Sequence, residues 1–425
     1  MLIYADDVVL IADNEATLQD MLNVVASFGN EFSLSFNSKK CGVLIVNKPE
    51  LGRENFSIGN VVINRVREYN YLGVVFNEMG TGKAKMERIF RAIQWWGRLG
   101  SITNFRSNKY EVVRGVWKVI AVPGILYGMN TMNWSLEETK KIEVVQNKIG
   151  RLGLGANMLV GIEAIRGDMG WSSFEERLFK GKLKFKVRLE NMDGNRWARK
   201  IYIETGTKSK FSMDCVRVAN KCGFSRKWVA HGDSNAREWR LDIQEEDAAN
   251  FDENKWKRVI NRKVQGYGLA KWRNGIESKV SLGLYAIKPQ PKMEFFFDGN
   301  WASTLLFKAR SNSMEINDRT YRFNEGRIRE CEMCRNGIID GAFETTIHLI
   351  AECEAYDNAR GRAMEQYIDI MGRDWFDEVV SADDSGLSHF LGLVLGTPLE
   401  VVNVTKSLLS NIWRVRTLGN ILTRE

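Results

Sequence analysis

The amino-acid sequence predicts an α+β fold. A small β-sheet region comes first, a long mainly α-helical middle follows, and a helical carboxyl-terminal region is organised around a metal-type cluster. Three observations carry this reading. Short strand-forming runs pair across tight turns in roughly the first 77 residues. Apolar residues recur at helical spacing from Gly80 onward. Near the end, Cys331, Cys334, His348 and Cys353 stand at spacings that suit one metal ion.

The first element is MLIYADDVVLIAD, in which Leu2 to Tyr4 and Val8 to Ile11 flank Asp6 and Asp7. Two apolar runs around a polar turn predict a β-hairpin with both carboxylates at its tip. Like charges so placed repel, and a divalent cation is a natural reason to tolerate them. An ordinary Asp-Asp turn is the alternative. Next, Leu18, Met21, Leu22, Val25 and Phe28 predict an amphipathic helix ending at Gly29. Asn37 and Lys40 then precede an apolar strand, Val43 to Val46. Phe56 to Ile58 and Val61 to Ile63 flank Gly59-Asn60 as a second hairpin, and EYNYLGVVF follows with Tyr71, Leu72 and Gly73 at its centre.

Beyond Gly80 the pattern is helical. Ile89, Phe90, Ile93, Trp96 and Leu99 mark one segment; Tyr110, Val113, Trp117 and Ile120 mark another, expected to stop before Pro123. Capping boxes at Ser135 with Glu138 and at Ser172 with Glu175 open two more helices, the second running to about Leu189. The Arg166-Gly167-Asp168 triplet reads as a loop.

Phe179 to Lys200 is strongly basic, with Lys180, Lys182, Lys184, Lys186, Arg188, Arg196, Arg199 and Lys200 against Glu190 and Asp193. On a helix these cations would spread into a positive collar for nucleic-acid phosphates. A solvated helix surface explains them equally well. Residues 201–290 hold no catalytic constellation: Cys215 and Cys222 read as buried thiols and His231 as an exposed imidazole. Lys288-Pro289-Gln290-Pro291-Lys292 reads as a stiff connector at a boundary.

In the tail, Cys331 and Cys334 fit one tight turn, while His348 and Cys353, five residues apart, can return to complete a tetrahedron. Four such ligands leave no open position, so zinc there would be structural. The intervening loop, with Asn336, Gly337 and Gly341, is too short and polar to hold a core unaided. Further helices are expected beyond Arg360, with Leu391 to Leu395 and Leu408 to Trp413 as apolar faces.

At 425 residues, 44% hydrophobic, the chain can bury several cores, which excludes a disordered protein. Its net charge of +8 favours polyanionic partners. Six unevenly placed cysteines argue against a disulfide framework and for metal in a reducing compartment. With no secretory signal and no apolar run long enough to span a bilayer, the expectation is a soluble intracellular protein with no membrane contact.

Taken in order, these motifs resemble one family. Tyr4-Ala5-Asp6-Asp7 resembles the polymerase box of reverse transcriptases, whose palm aspartates hold catalytic magnesium. Asn37 with Lys40 resembles the next box of the non-LTR (LINE-like) retrotransposon enzymes, with Cys41 where the family usually has Thr or Ser. Tyr71-Leu72-Gly73 resembles their primer grip, GILYG (Gly124 to Gly128) and RGDMGW (Arg166 to Trp171) resemble parts of the thumb and the region after it, and the Cys/His run resembles their zinc knuckle.

The resemblance implies a palm remnant at 1–80, a helical thumb at 81–200, a helical or irregular connector at 201–290 and a zinc-knuckle and helical domain at 291–425. It implies RNA-directed DNA polymerisation on an RNA template and DNA primer. Asp6 and Asp7 would bind Mg²⁺, Lys40 would donate a proton to the leaving pyrophosphate, and Zn²⁺ would sit on the four tail ligands. Because the YADD box begins at Tyr4, the fingers and the upstream metal-binding aspartate are expected to be missing, and the chain to be inactive alone. The rival readings are a catalytically silent nucleic-acid-binding module made of thumb and knuckle and a degenerate product with no selected activity. Nucleus and cytoplasm are both compatible with all of these.

Overall fold

The computed structural model describes residues 1–46, 55–80, 82–103, 108–230, 237–242, 253–324, 326–334, 341–381 and 383–422. The chain divides into two compact units, Met1–Arg91 and Ala92–Glu425.

The first unit is built from hairpins. β1 (Leu2–Tyr4) pairs antiparallel with β2 (Asp7–Val9), Tyr4 opposite Asp7, and Ala5 takes a φ of 51° to make the reversal. After α1 (Glu15–Glu31), β3 (Asn55–Ile58) pairs with β4 (Val61–Asn64) across Gly59, whose φ is 58°. β5 (Glu68–Tyr71) then pairs with β6 (Val74–Asn77). At this last turn Leu72 (φ 49°) and Gly73 (φ 73°) are both left-handed, the conformation that matches the twist of the flanking strands. The strands form separate antiparallel pairs rather than one sheet. The expected strand at Val43 to Val46 is reduced to one parallel bridge, Val43 to Arg65.

α1 begins where Asn14 Oδ1 accepts the Thr17 N–H at 2.9 Å. It does not stop at Gly29. That glycine is buried inside the helix, where a Cβ would lie 2.7 Å from the Phe36 ring, so it serves close packing and the cap falls at Phe32. The inner face of α1 delivers Leu22 to a core of Val43, Phe56, Ile58 and Ile63. Gln19 fixes the register by exchanging two hydrogen bonds with the Ser57 backbone, at 2.8 and 3.1 Å.

The second unit is mainly helical. α2 (Gly82–Ile102) contributes to both units and leads to α3 (Lys109–Val116). The chain does not break before Pro123. A wide π turn over Trp117–Ala121, closed by Val122 N–H on the Trp117 carbonyl, resets the ladder, and Pro123 enters the first turn of α4 (Val122–Leu126), where no donor is needed. α5 (Leu136–Leu154) starts on the Ser135–Glu138 capping box as expected. α6 (Ile162–Met169) contains the Arg166-Gly167-Asp168 triplet, which is therefore helical and not a loop. The next capping box is Ser173 with Glu176, one residue beyond the expected pair, and it opens α7 (Phe174–Glu190).

Residues 201–290 are more regular than expected. α8 (Trp197–Thr205) and α9 (Lys210–Lys221) precede a hairpin, β7 (Ser225–Ala230) with β8 (Arg237–Asp242), and α10 (Glu253–Glu277). Cys215 and Cys222 are core thiols beside Leu183, Val187 and Ile260, and burial pushes both up to about 12. His231 lies outside the described residues.

Lys288-Pro-Gln-Pro-Lys292 is not a free connector. The Lys288 ammonium is buried on Asp168 at 2.9 Å and pairs with Glu294, while Lys292 N–H donates to the Gly167 carbonyl at 2.9 Å. Arg310, fully buried at the end of α11 (Trp301–Arg310), donates to Asp168 at 2.8 Å, to Glu294 at 3.0 Å and to the Leu391 carbonyl at 2.8 Å. Tyr285 Oη also donates to Asp168, at 2.9 Å. Burial alone would raise the Asp168 carboxyl, but Arg310 and Lys288 hold it below the usual range. A buried carboxylate stripped of such partners costs about 3–5 kcal/mol, so this closed network locks the 168, 288–294 and 310 segments together.

The tail adds α12 (Asn317–Phe323), α13 (Asp357–Met371), α14 (Arg373–Ser381), α15 (Asp383–Phe390) and α16 (Leu399–Leu422). Leu391 to Leu395 is a turn segment and not a helical face, with Leu391 and Leu393 buried and Leu395 exposed. Among the described residues no helix is long and apolar enough to cross a membrane.

Candidate functional site

Asp6 and Asp7 are exposed where β1 turns into β2. Adjacent hard carboxylates open to solvent are the donor type that magnesium takes while keeping several waters. Asn37 builds the next turn: its side chain accepts the Lys39 N–H at 3.0 Å and its carbonyl accepts the N–H of Lys40 at 2.9 Å. Lys40 therefore leaves a short 3₁₀ turn (Ser38–Lys40) with its ammonium exposed.

Tyr69 on β5, which the motif reading passed over, ties these pieces together. Its hydroxyl donates to the Lys40 carbonyl at 2.6 Å. Its acidity is weakened first by burial, then by Cys41 and by the Asp7 charge, which places Asp7 within electrostatic reach of the same spot. A second missed residue is Arg88 on α2. Its guanidinium is buried and donates to the Gly73 carbonyl at 3.0 Å, holding the turn that presents Tyr71, Leu72 and Gly73. An Arg at helical spacing from Ala84 and Ala92 gave no sign of this, since its partner is a backbone oxygen.

The expected collar is smaller than the charge count. Lys182 is buried, donating to the Met132 carbonyl at 2.9 Å and pairing with Asp214. Lys186 is fully buried, paired with Glu190 and bonded to Tyr202 Oη at 2.8 Å. Arg199 is buried against the Tyr202 ring. These three are turned away from phosphates: α7 packs against α9 and α10, so the i, i+4 pair 182 and 186 falls on its inner stripe, while Arg199 is buried on α8. Positions 180, 184 and 188 share the opposite stripe. Lys180 and Lys184 are half-buried there, Arg188 is exposed, and Arg196 and Lys200 are exposed beyond it. Burial first, and then the neighbouring Lys257, lowers the Lys184 ammonium.

In the tail, Cys331, Cys334, His348 and Cys353 are all buried, and their ligand atoms lie within 4.8 Å of one another. A short antiparallel bridge, Glu330 to Phe343, presents the first two, and a π turn over His348–Glu352 presents the others. The separations are 3.4 Å for Cys334 Sγ to Cys353 Sγ, 3.9 Å for Cys331 to Cys353 and 3.3 Å for Cys334 Sγ to His348 Nε2. Zinc with bonds of about 2.0–2.3 Å needs tetrahedral edges of about 3.5–3.8 Å, so the donor set fits. His348 turns its other nitrogen to Glu352 at 3.4 Å, the outer support common for metal-bound imidazole.

The thiols share protons. The hydrogen bond from Cys353 holds Cys331 down to about 5, that same bond raises Cys353, and burial raises Cys334. Arg360, on α13, donates to the Cys353 carbonyl. Glu344, between the two ligand pairs, is buried and gripped by Arg416 of α16 through two bonds of 2.7 and 2.8 Å, a tie no local motif announced. Asn336 and Gly337 lie outside the described residues.

Comparison with known families bears on the first unit. Residues 1–76 match the family model described as Reverse transcriptase (RNA-dependent DNA polymerase). Neither the curated proteins nor the solved structures gave a match.

Proposed function

We propose that this reverse-transcriptase-related chain supplies the magnesium-binding hairpin, primer grip, thumb and zinc knuckle of a non-LTR retrotransposon polymerase, and that these 425 residues bind nucleic acid without polymerising by themselves. The observation that carries the reading is the family match over 1–76, joined to the Tyr69 hydroxyl that fixes the Lys40 turn and feels the Asp7 charge. Asp6 and Asp7 would hold magnesium, which supplies charge neutralisation for phosphoryl transfer. Lys40, exposed at the end of the turn whose carbonyl Tyr69 bonds, would give a proton to a leaving pyrophosphate. Tyr71, Leu72 and Gly73, held by Arg88, form a rigid edge against which a primer strand can rest.

Two-metal transfer needs enough carboxylate to clamp both ions, and the Asp6–Asp7 pair is short of that. Lys180, Lys184, Arg188, Arg196 and Lys200 then provide contacts to duplex phosphates, while Zn²⁺ on Cys331, Cys334, His348 and Cys353 holds the tail. The test is primer extension on poly(rA) primed with oligo(dT), in magnesium or manganese, beside duplex binding by the same preparation. Binding without extension is expected. Extension that Asp6→Ala abolishes would show that the two carboxylates suffice.

A further inference from the structure

A cleft of about 780 Å³ in the second unit belongs to none of these sites. Its walls come from α2, α5 and the starts of α3 and α11, and they include Trp96, Trp301, Lys109, Lys148 and Arg151. No carboxylate is among its lining residues. Trp96 is 47% exposed and Trp301 48% exposed, so two large indole surfaces face solvent at the cleft instead of a core. The Lys148 ammonium stands 5.4 Å from the centre of the Trp96 ring. Arg151 gives one bond to the Val160 carbonyl at 2.9 Å, but its Nε is buried with no partner among the described residues. Burial lowers this guanidinium, as expected for a desolvated cation with no anion beside it.

We infer that this cleft takes two adjacent unpaired nucleotides of a single nucleic-acid strand, with bases on Trp96 and Trp301 and phosphates on Lys109, Lys148 and Arg151. The volume suits a ligand of that size. Half-exposed indoles interleaved with cations are what sequence-tolerant single-strand binding uses, because every base offers a flat π face and every linkage a charge. An acidic peptide would satisfy the cations and leave both indoles wet. The inference rests on the nucleic-acid reading above but assigns a separate surface, away from the α7 stripe.

Fluorescence anisotropy of the full chain, with a short labelled oligothymidine and with a blunt RNA–DNA duplex, tests it. Stacking worth about 1–3 kcal/mol per base means that Trp96→Ala and Trp301→Ala should each weaken oligothymidine binding roughly 5- to 150-fold and leave duplex affinity unchanged. Trp301→Phe should keep most of the affinity, and Lys148→Gln should flatten the salt dependence by roughly 0.7 in slope. Equal oligothymidine affinity in the parent and both alanine variants overturns the cleft. So does thymidine triphosphate competing as well as the strand, or a parent that binds duplex and ignores oligothymidine. A parent that binds neither overturns the nucleic-acid reading as well.

Discussion

The two donor sets of metal type in this chain sit in opposite surroundings. Asp6 and Asp7 stand exposed at the turn of a three-residue strand pair. Cys331, Cys334, His348 and Cys353 are buried, with ligand atoms gathered within 4.8 Å of one another, and Glu344 between them is tied through Arg416 to the last long helix. On the reading proposed above, the contrast is between a site that must stay open and one that must close. A polymerase metal is completed by substrate oxygens, so its protein ligands cannot be sequestered. A structural ion replaces core, so its ligands leave no vacancy and support one another.

The largest expected effect breaks the closed site. Removing metal with a chelator, or replacing Cys334→Ser or His348→Ala, should release one zinc per chain and loosen 326–334 and 341–360 together with α16, through the Glu344–Arg416 tie. Hydrogen exchange should show this while α5, α6 and the Met1–Arg91 unit keep their protection. Zinc needs deprotonated thiols, so affinity falls as pH falls. Without metal, Cys331 at about 5 and the raised Cys334 and Cys353 cannot all be ionised at neutral pH, and it is the cation that makes the set compatible. Metal analysis near zero in the parent, or unchanged in both variants, would sink the site.

A second comparison lies within one helix. Lys182 and Lys184 are two residues apart on α7, yet one is buried on Asp214 and the other lies on the outer stripe. Lys182→Glu sets two carboxylates together in the interior and should cost about 3–5 kcal/mol in urea unfolding. Lys184→Glu should leave stability within about 0.5 kcal/mol. It should also lower the salt slope of duplex binding by about 0.9, the value of one lost phosphate contact. Equal effects of the two on binding would return the whole run to an undivided surface.

The same pair shows what could be read in advance. Hairpin tips, the Ser135 capping box and the Cys/His spacing are local, so a few residues suffice to specify them and the structure agrees. The sign of a lysine's charge says nothing about its direction, and α7 needed α9 and α10 in place before its inner stripe was defined. The Ser172-Ser173-Phe174-Glu175-Glu176 run offers two capping registers, and the folded chain takes the later one. The Asp168 network joins residues more than a hundred positions apart, and its lysine stood in a Pro-rich stretch that reads as linker. At the first site the Asp and Lys motifs were visible, but Tyr69 and Arg88 act through backbone oxygens, which no side-chain pattern encodes.

The smallest expected effect tests the open half of the comparison. If Asp6 and Asp7 are held for chemistry and not for the fold, Asp6→Asn and Asp7→Asn should shift unfolding by no more than about 0.5 kcal/mol, as exposed substitutions usually do. Any shift should be toward greater stability, since each change removes one of two adjacent like charges. Millimolar magnesium should then stabilise the parent slightly and the double variant not at all, because only the parent offers a carboxylate pair to the ion. A loss well beyond that range, with magnesium present or absent, would show that these side chains carry the hairpin itself, and the distinction between an open and a closed site would fail.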